Sequence, residues 1–177
     1  MVVRSVMTSN PFTIAPDTTI VEALSIMREK GIRRLPVLKG DKLIGIVTKR
    51  RLLEVSPSPA TTLSVFEMNY LLAKTTVKDI MTKDVFTIGP DALLEQAAVL
   101  MAENNIGGLP VVEKGKLVGI ITEKDIFKSF VEILGFRDPG SRICVDYGTD
   151  RPGVLASLST MMAEMGINIS HIAVYKN

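Results

Sequence analysis

Leu35-Pro36-Val37 followed by Gly45-Ile46-Val47-Thr48 is the stretch that decides the architecture, because it returns as Leu109-Pro110-Val111 and Gly119-Ile120-Ile121-Thr122, 74 positions later. Working outward, Met7-Thr8, Phe12-Thr13-Ile14 and Pro16-Asp17 recur at the same offset as Met81-Thr82, Phe86-Thr87-Ile88 and Pro90-Asp91. No gap is needed between residues 6 and 53, and about 19 of those 48 positions are identical. One supersecondary unit is thus used in tandem. Two such units facing each other form a pseudo-twofold cleft, the place to seek a small ligand.

Within each unit the local signals run strand, helix, strand, strand, helix. Phe12 to Ile14 reads as a short strand, and Pro16-Asp17-Thr18-Thr19 as the turn into a helix. Thr19 and Glu22 have capping-box spacing, and Ile20, Ala23, Leu24 and Met27 then share one helical face. Gly31, free to take positive φ, stops that helix. Leu35 to Leu38 and Lys42 to Val47 read as a hairpin turning at Gly40-Asp41, with a second helix after Thr48. The second copy repeats the order, with Leu93, Leu94, Ala97, Ala98 and Met101 as its stripe and Lys114-Gly115 at its turn.

Between the copies, Ser56-Pro57-Ser58-Pro59 cannot continue a helix, because proline lacks the amide donor; Ser64 and Glu67 then offer a capping box for a helix to about Lys74. After Phe127 a helix runs to about Leu134, and Gly135 with Asp138-Pro139-Gly140 marks a boundary. Arg142 to Tyr147 alternates as a strand, Pro152 to Met165 reads as a helix, and Ile167 to Tyr175 as another strand. The expected division is a first repeat at 1–55, an ordered connector at 56–77, a second repeat at 78–134 and a third piece at 141–177.

The 177 residues are 46% hydrophobic, enough for real cores, and a net charge of +2 gives no global basic field for nucleic acid. Tryptophan is absent and aromatics are 5%, which removes the stacking platforms of a single-strand binder. The amino terminus lacks a signal-peptide apolar region, and no window approaches a membrane span, so a soluble cytoplasmic protein is expected. One cysteine, Cys144, excludes an internal disulfide. His171 is the only histidine, metal-ligand spacings are missing, and no phosphate-binding glycine loop is present. Neither a catalytic centre nor a metal site is expected.

The informative contrast between the copies lies where each second helix begins. The second reads Thr122-Glu123-Lys124-Asp125, the first Thr48-Lys49-Arg50-Arg51. A hydroxyl at a helix N-terminus suits a phosphate, and a carboxylate three residues later can accept both ribose hydroxyls. Thr122 and Asp125 are equally well spaced for a simple capping pair. What favours a ligand is the basic set Arg33, Arg34, Lys49, Arg50 and Arg51, standing opposite Gly107, Gly108, Glu123, Lys124 and Asp125. If the two Leu-Pro-Val edges meet one cleft, Arg34 can reach a phosphate whose ribose Asp125 holds.

Residues 1 to about 130 resemble a tandem pair of CBS domains, a Bateman module, through the twice-used pattern of Met-Thr, a strand ending Thr-Ile, an apolar helix, Leu-Pro-Val and Gly-apolar-apolar-Thr. The resemblance implies an α+β (mixed α/β) fold, two β-α-β-β-α repeats packed as a pseudo-twofold homodimerising pair. It also implies an adenine nucleotide (AMP, ADP or ATP) or S-adenosylmethionine in the cleft, as a regulatory ligand and not a cofactor, with control of an unknown protein as the output. By position, Thr122 and Asp125 take phosphate and ribose, while Thr87, Ile88, Pro110 and Val111 line the adenine pocket. In the first copy Thr48 matches but Arg51 replaces the acid, so that site is expected to be empty or to lend Arg51 to an extended phosphate chain.

Asp150-Arg151-Pro152-Gly153-Val154-Leu155 followed by Gly166-Ile167-Asn168-Ile169 resembles the opening of an ACT domain. That resemblance implies a partial ferredoxin-like fold and nominates Gly153 and Asn168 for an amino acid. Only strand, helix, strand of its six elements are expected, so another subunit or a longer protein would complete the sheet. Two CBS domains before an ACT domain are similar to the acetoin-utilisation AcuB-like family, which implies a regulator of carbon metabolism. Two other readings stand beside the nucleotide sensor: a ligand-independent dimerisation scaffold, and an amino-acid sensor acting through the third piece.

Overall fold

A computed structural model describes residues 1–55, 74–148 and 151–174. The chain divides into two units, Met1–Ile126 and Phe127–Asn177. The connector readings at 56–73, including the Ser64–Glu67 capping box, lie outside the described residues.

In the first unit, a 3₁₀ turn (Val3–Ser5) and the two-residue strand β1 (Thr8–Ser9) precede helix α1 (Ile20–Glu29). Strands β2 (Arg34–Lys39) and β3 (Lys42–Thr48) follow, then helix α2 (Lys49–Glu54). The second copy supplies a short helix α3 (Val77–Ile80), helix α4 (Leu94–Glu103), strands β4 (Gly108–Glu113) and β5 (Lys116–Thr122), and helix α5 (Glu123–Ile133). Each strand pair is an antiparallel hairpin with a bulge at the same place, Val37/Leu38 and Val111/Val112. The second turn holds Lys114 and Gly115 at φ +49° and +79°, a left-handed pair that keeps the hairpin twist.

The helices form where the sequence signals put them. The Glu22 amide donates to Thr19 Oγ1 at 3.2 Å, and the Thr19 amide donates back to the Glu22 carboxylate at 2.9 Å. That closes the capping box and releases Ile20, Ala23 and Met27 to be buried on one face. In α4, Leu94, Ala97 and Met101 are buried, but Leu93 is not part of the stripe. It stands before the helix, 50% exposed, and its amide donates to Gln96. The expected strand Phe12–Ile14 is likewise reduced to a single parallel bridge from Ile14 to Val37, matched by Ile88 to Val111. Pro11 and Pro16 flank it without amide donors, so no longer ladder can form.

Two cores result, and each borrows from the other copy. Ile20, Met27, Leu35, Val37, Val47 and Leu52 gather with Val77, which precedes the second repeat. Leu94, Met101, Leu109, Val111 and Ile121 gather with Val3, which precedes the first. The backbone follows the same exchange: Thr8 pairs with Ile120, and Thr82 with Ile46. The Ile20 amide donates to the Thr75 carbonyl at 3.2 Å, and the Leu94 amide to the Met1 carbonyl at 3.0 Å. The lead-in of each repeat is therefore an edge of its neighbour.

The second unit contains the remainder of α5 and helix α6 (Val154–Glu164), none of whose residues is buried. The strands expected at Arg142–Tyr147 and from Ile167 onward do not form among the described residues. A strand needs a hydrogen-bonded neighbour, and neither segment has one there. The ferredoxin-like expectation thus retains its helix and lacks its sheet.

Because Val3 is fully buried, Val3→Ala should cost about 2 kcal/mol in urea unfolding, as much as Val77→Ala. A loss below about 0.5 kcal/mol would show that the leading segment is not part of the core. Acid should also weaken the caps. The Thr19 backbone amide and hydroxyl hold Glu22 below its ordinary 4.5, and the Thr76 hydroxyl and amide hold Asp79 below 3.8. A carboxyl lowered on folding stabilises above its unfolded value and loses that contribution as pH falls through the folded one. Wild type should therefore lose more stability than Glu22→Gln between about pH 5 and pH 3.

Candidate functional site

The Thr122 end of the second hairpin brings Thr122 and Asp125 together. Gly108 lies opposite Thr122 across the ladder, and α5 starts immediately after. The Asp125 carboxylate turns back to accept the Thr122 amide at 2.9 Å and the Thr122 hydroxyl at 2.7 Å. This is the capping pair, and it holds a carboxylate beside a hydroxyl at a helix N-terminus, half-buried rather than on the open surface. The Glu123 amide donates to the Gly107 carbonyl at 3.2 Å, tying the start of the helix to the start of β4.

Thr87 and Ile88 are brought against Pro110 and Val111 by two backbone bonds: Ile88 N–H to the Pro110 carbonyl at 3.1 Å, and Val112 N–H to the Ile88 carbonyl at 2.9 Å. Strand alternation then divides their side chains. Val111 is fully buried in the second core, so only its backbone is available to a ligand. Pro110 stands on the opposite face and is also buried, and Thr87 is exposed.

The first copy is built alike and charged differently. Thr48 Oγ1 accepts the Arg51 amide at 3.2 Å, and the Lys49 amide donates to the Arg33 carbonyl at 2.9 Å. The Arg51 side chain reaches the Ile80 carbonyl at 3.4 Å and Glu54 at 3.6 Å. Its charge is already answered by a carboxylate of its own helix and by a backbone carbonyl of α3.

Arg34 lies instead against the β4 end of the second repeat. The space that a Cβ on Gly107 would fill is taken by an Arg34 terminal nitrogen and, at 2.6 Å, by a Glu123 carboxylate oxygen. A Cβ on Gly108 would meet the Ile121 carbonyl oxygen at 3.1 Å, Arg34 Cδ at 3.2 Å and Arg34 Nε at 3.3 Å. The Gly107-Gly108 pair opposite Arg33-Arg34 therefore has a steric reason: two missing side chains are the seat of one guanidinium. Burial pushes the Arg34 pKa down; attraction to Glu123 opposes this and repulsion from Arg33 adds to it. Glu123 was absent from the expected site, although the Lys49-to-Glu123 reversal between the copies was its signal.

The remaining candidates lie in the second unit and are not gathered. Gly153 takes φ +91° before α6, with nothing within 4 Å of a Cβ there, and Asn168 is exposed and outside any strand. His171 approaches Asp138 at 3.6 Å, and Cys144 is exposed. Among the described residues no cluster of His, Cys, Asp or Glu could hold a metal, and no helix is long and apolar enough to cross a membrane. An open depression of about 450 Å³ lined by Pro16, Lys39, Ile44, Lys78, Asp79, Met81 and Lys83 shares no residue with this site.

Comparison with known proteins identifies the two repeats as a known domain. The CBS domain family matches residues 3–58 and 77–132. An inosine-5′-monophosphate dehydrogenase from Korarchaeum cryptofilum is 40% identical over 134 residues, which is 75% of this chain and 25% of that enzyme. The chain therefore spans about a quarter of that relative's length. A putative acetoin utilization protein (AcuB) from Vibrio cholerae superposes with a TM-score of 0.64 at 31% identity, over 80% of this chain and 98% of that one. A CBS domain pair solved with 5′-methylthioadenosine and S-adenosyl-L-methionine gives 0.62 at 28%, over 75% and 97%. CBSX2 in complex with AMP gives 0.62 at 31%, also over 75% and 97%.

Seating Arg34 on two glycines has a measurable consequence. Gly107→Ala should cost no more than about 1 kcal/mol by urea unfolding, because the new methyl meets only the ends of the Arg34 and Glu123 side chains, which can move aside. Adding Arg34→Ala should recover part of that loss, and strictly additive losses would show that the contact is not what the glycine serves.

Proposed function

The chain belongs to the CBS-domain family, and we propose that its two repeats form a ligand-sensing regulatory module that takes an adenosine-containing ligand in the inter-repeat cleft. The observation that carries this reading is Arg34 of one repeat lying on Gly107 and Gly108 of the other, at the Thr122–Asp125 end of the hairpin. A cation, a hydroxyl at a helix N-terminus and a carboxylate converge there, the complement of a phosphate and a ribose diol. Pro110 and the backbone around Thr87, Ile88 and Val111 then bound the adenine. Such a ligand bridges both repeats, so it favours whichever mutual arrangement lets Arg34 and Asp125 touch it together. Only that difference in affinity can alter the shape offered to a partner.

The ligand classes that fit are AMP, ADP, ATP and S-adenosylmethionine, and the partner is a metabolic protein, in acetoin or related carbon metabolism. We assign no catalysis and a cytoplasmic location. Thr48 and Arg51 of the first repeat are assigned no nucleotide, because Arg51 is engaged by Glu54 and Ile80. Gly153 and Asn168 remain the amino-acid candidates if the carboxy-terminal piece completes an ACT sheet with another chain. A homodimer is supported by Phe127, Phe130 and Ile133, a helical row on α5 that stands 69%, 59% and 49% exposed.

Calorimetric titration of the nucleotide-stripped protein with AMP, ATP and S-adenosylmethionine tests the reading. Saturable binding is expected, weakened at least about 10-fold by Asp125→Ala, whose cost to stability should stay near 1 kcal/mol. Absence of binding to stripped wild type would move the assignment to a ligand-independent scaffold. Sedimentation equilibrium should give a dimer that Phe130→Asp dissociates; a wild-type monomer at tens of micromolar, about the range of weak assemblies, would remove the dimer.

A further inference from the structure

Arg34 reaches from the first repeat onto Gly107 and Gly108 of the second, and the structure leaves it incompletely answered. Among the described residues it makes no ion pair and donates no side-chain hydrogen bond. It is half-buried against Gly107 and Gly108, with Arg33 adding repulsion and Glu123 the carboxylate whose field reaches it. The Glu123 oxygen and the Arg34 nitrogen converge on the same small space over Gly107. An anion entering that space meets an attractive cation and a repulsive carboxylate together.

We propose that Glu123 is a specificity-determining residue of the cleft: an internal anion that faces Arg34 when no ligand is bound and that a ligand phosphate must supplant. This rests on the adenosine-ligand reading above and adds the charge class to it. A neutral adenosine derivative leaves Glu123 facing Arg34 and gains nothing from the guanidinium. A phosphate takes over Arg34 with charge-assisted bonds, at the cost of repulsion from Glu123. The residue thereby lowers affinity for phosphate-bearing ligands without touching the adenosine end. Glu123 also follows Thr122 directly, and its amide is bound to the Gly107 carbonyl. Movement of the Glu123 side chain therefore occurs at the start of α5, where a bound phosphate would be read out.

The test is calorimetric titration of wild type, Glu123→Gln, Arg34→Gln and the double variant with AMP and with 5′-methylthioadenosine, which has no phosphate. Glu123→Gln should tighten AMP about 5-fold, the scale of a partly exposed charge pair, and leave 5′-methylthioadenosine within about 2-fold. In the Arg34→Gln background the same change should matter less, since the guanidinium over which the two anions compete is gone. Equal tightening of both ligands, no change, or weaker AMP binding in Glu123→Gln would overturn the proposal while leaving the sensor reading intact. If wild type binds neither ligand and Glu123→Gln binds AMP, the carboxylate is a stronger block than inferred and the proposal stands. If no variant binds either ligand, the sensor reading and this proposal fall together. Glu123→Ala, checked by thermal unfolding, repeats the comparison should the glutamine variant fail to fold.

Discussion

The architecture depends on a reciprocal steric fit. Met7 and the Thr8 carbonyl lie where a Cβ on Gly119 would be, with the carbonyl at 3.1 Å, and Met81 with the Thr82 carbonyl at 3.0 Å does the same to Gly45. Only a residue without a side chain lets the neighbour's lead-in come close enough to pair, and both hairpins carry that residue at the same point. Once the two lead-ins are seated, Val3 and Val77 are carried into the opposite cores and the repeats are locked as a pseudo-twofold pair. The cleft and every residue in it inherit their positions from this exchange.

On that symmetric frame the chemistry is asymmetric. Thr48 and Thr122 cap equivalent helices, yet Arg51 is held by Glu54 and a carbonyl where Asp125 bends back to Thr122. Arg4 is held by Asp91 and Glu113, while its counterpart Lys78 stands across from Lys39. These exposed pairs contribute little to stability. What they decide is where charge is already neutralised by protein and where it is left for something else, and Arg34 belongs to the second group.

The repeat, the capping box at Thr19, both hairpins and the buried faces of α1 and α4 were legible because each depends on neighbours within about four residues or on a partner across a tight turn. Thr87, Ile88, Pro110 and Val111 were grouped through the family resemblance, and their backbone pairing is seen only in the structure. Leu93 was misjudged because a helical stripe does not say where the helix begins, and the strands after Arg142 because alternation cannot supply a partner. Val111 illustrates a finer loss: strand polarity turns its side chain into the core, a matter of which face the sheet buries.

What the sequence by itself determined was the tandem unit, its element order, its caps and the contrast of arginines with glycines between the copies, since these follow from periodicity, hydrogen-bonding capacity and side-chain size. What only the tertiary structure decided was who meets whom: that each lead-in completes the other repeat, that Arg51 reaches the Ile80 carbonyl, and that Arg34 and Glu123 converge over Gly107. The reason is physical. Local signals act through bonds that close within a few residues, whereas these contacts are made by close packing of surfaces distant in sequence, where the absence of a single Cβ determines which side chain occupies the space.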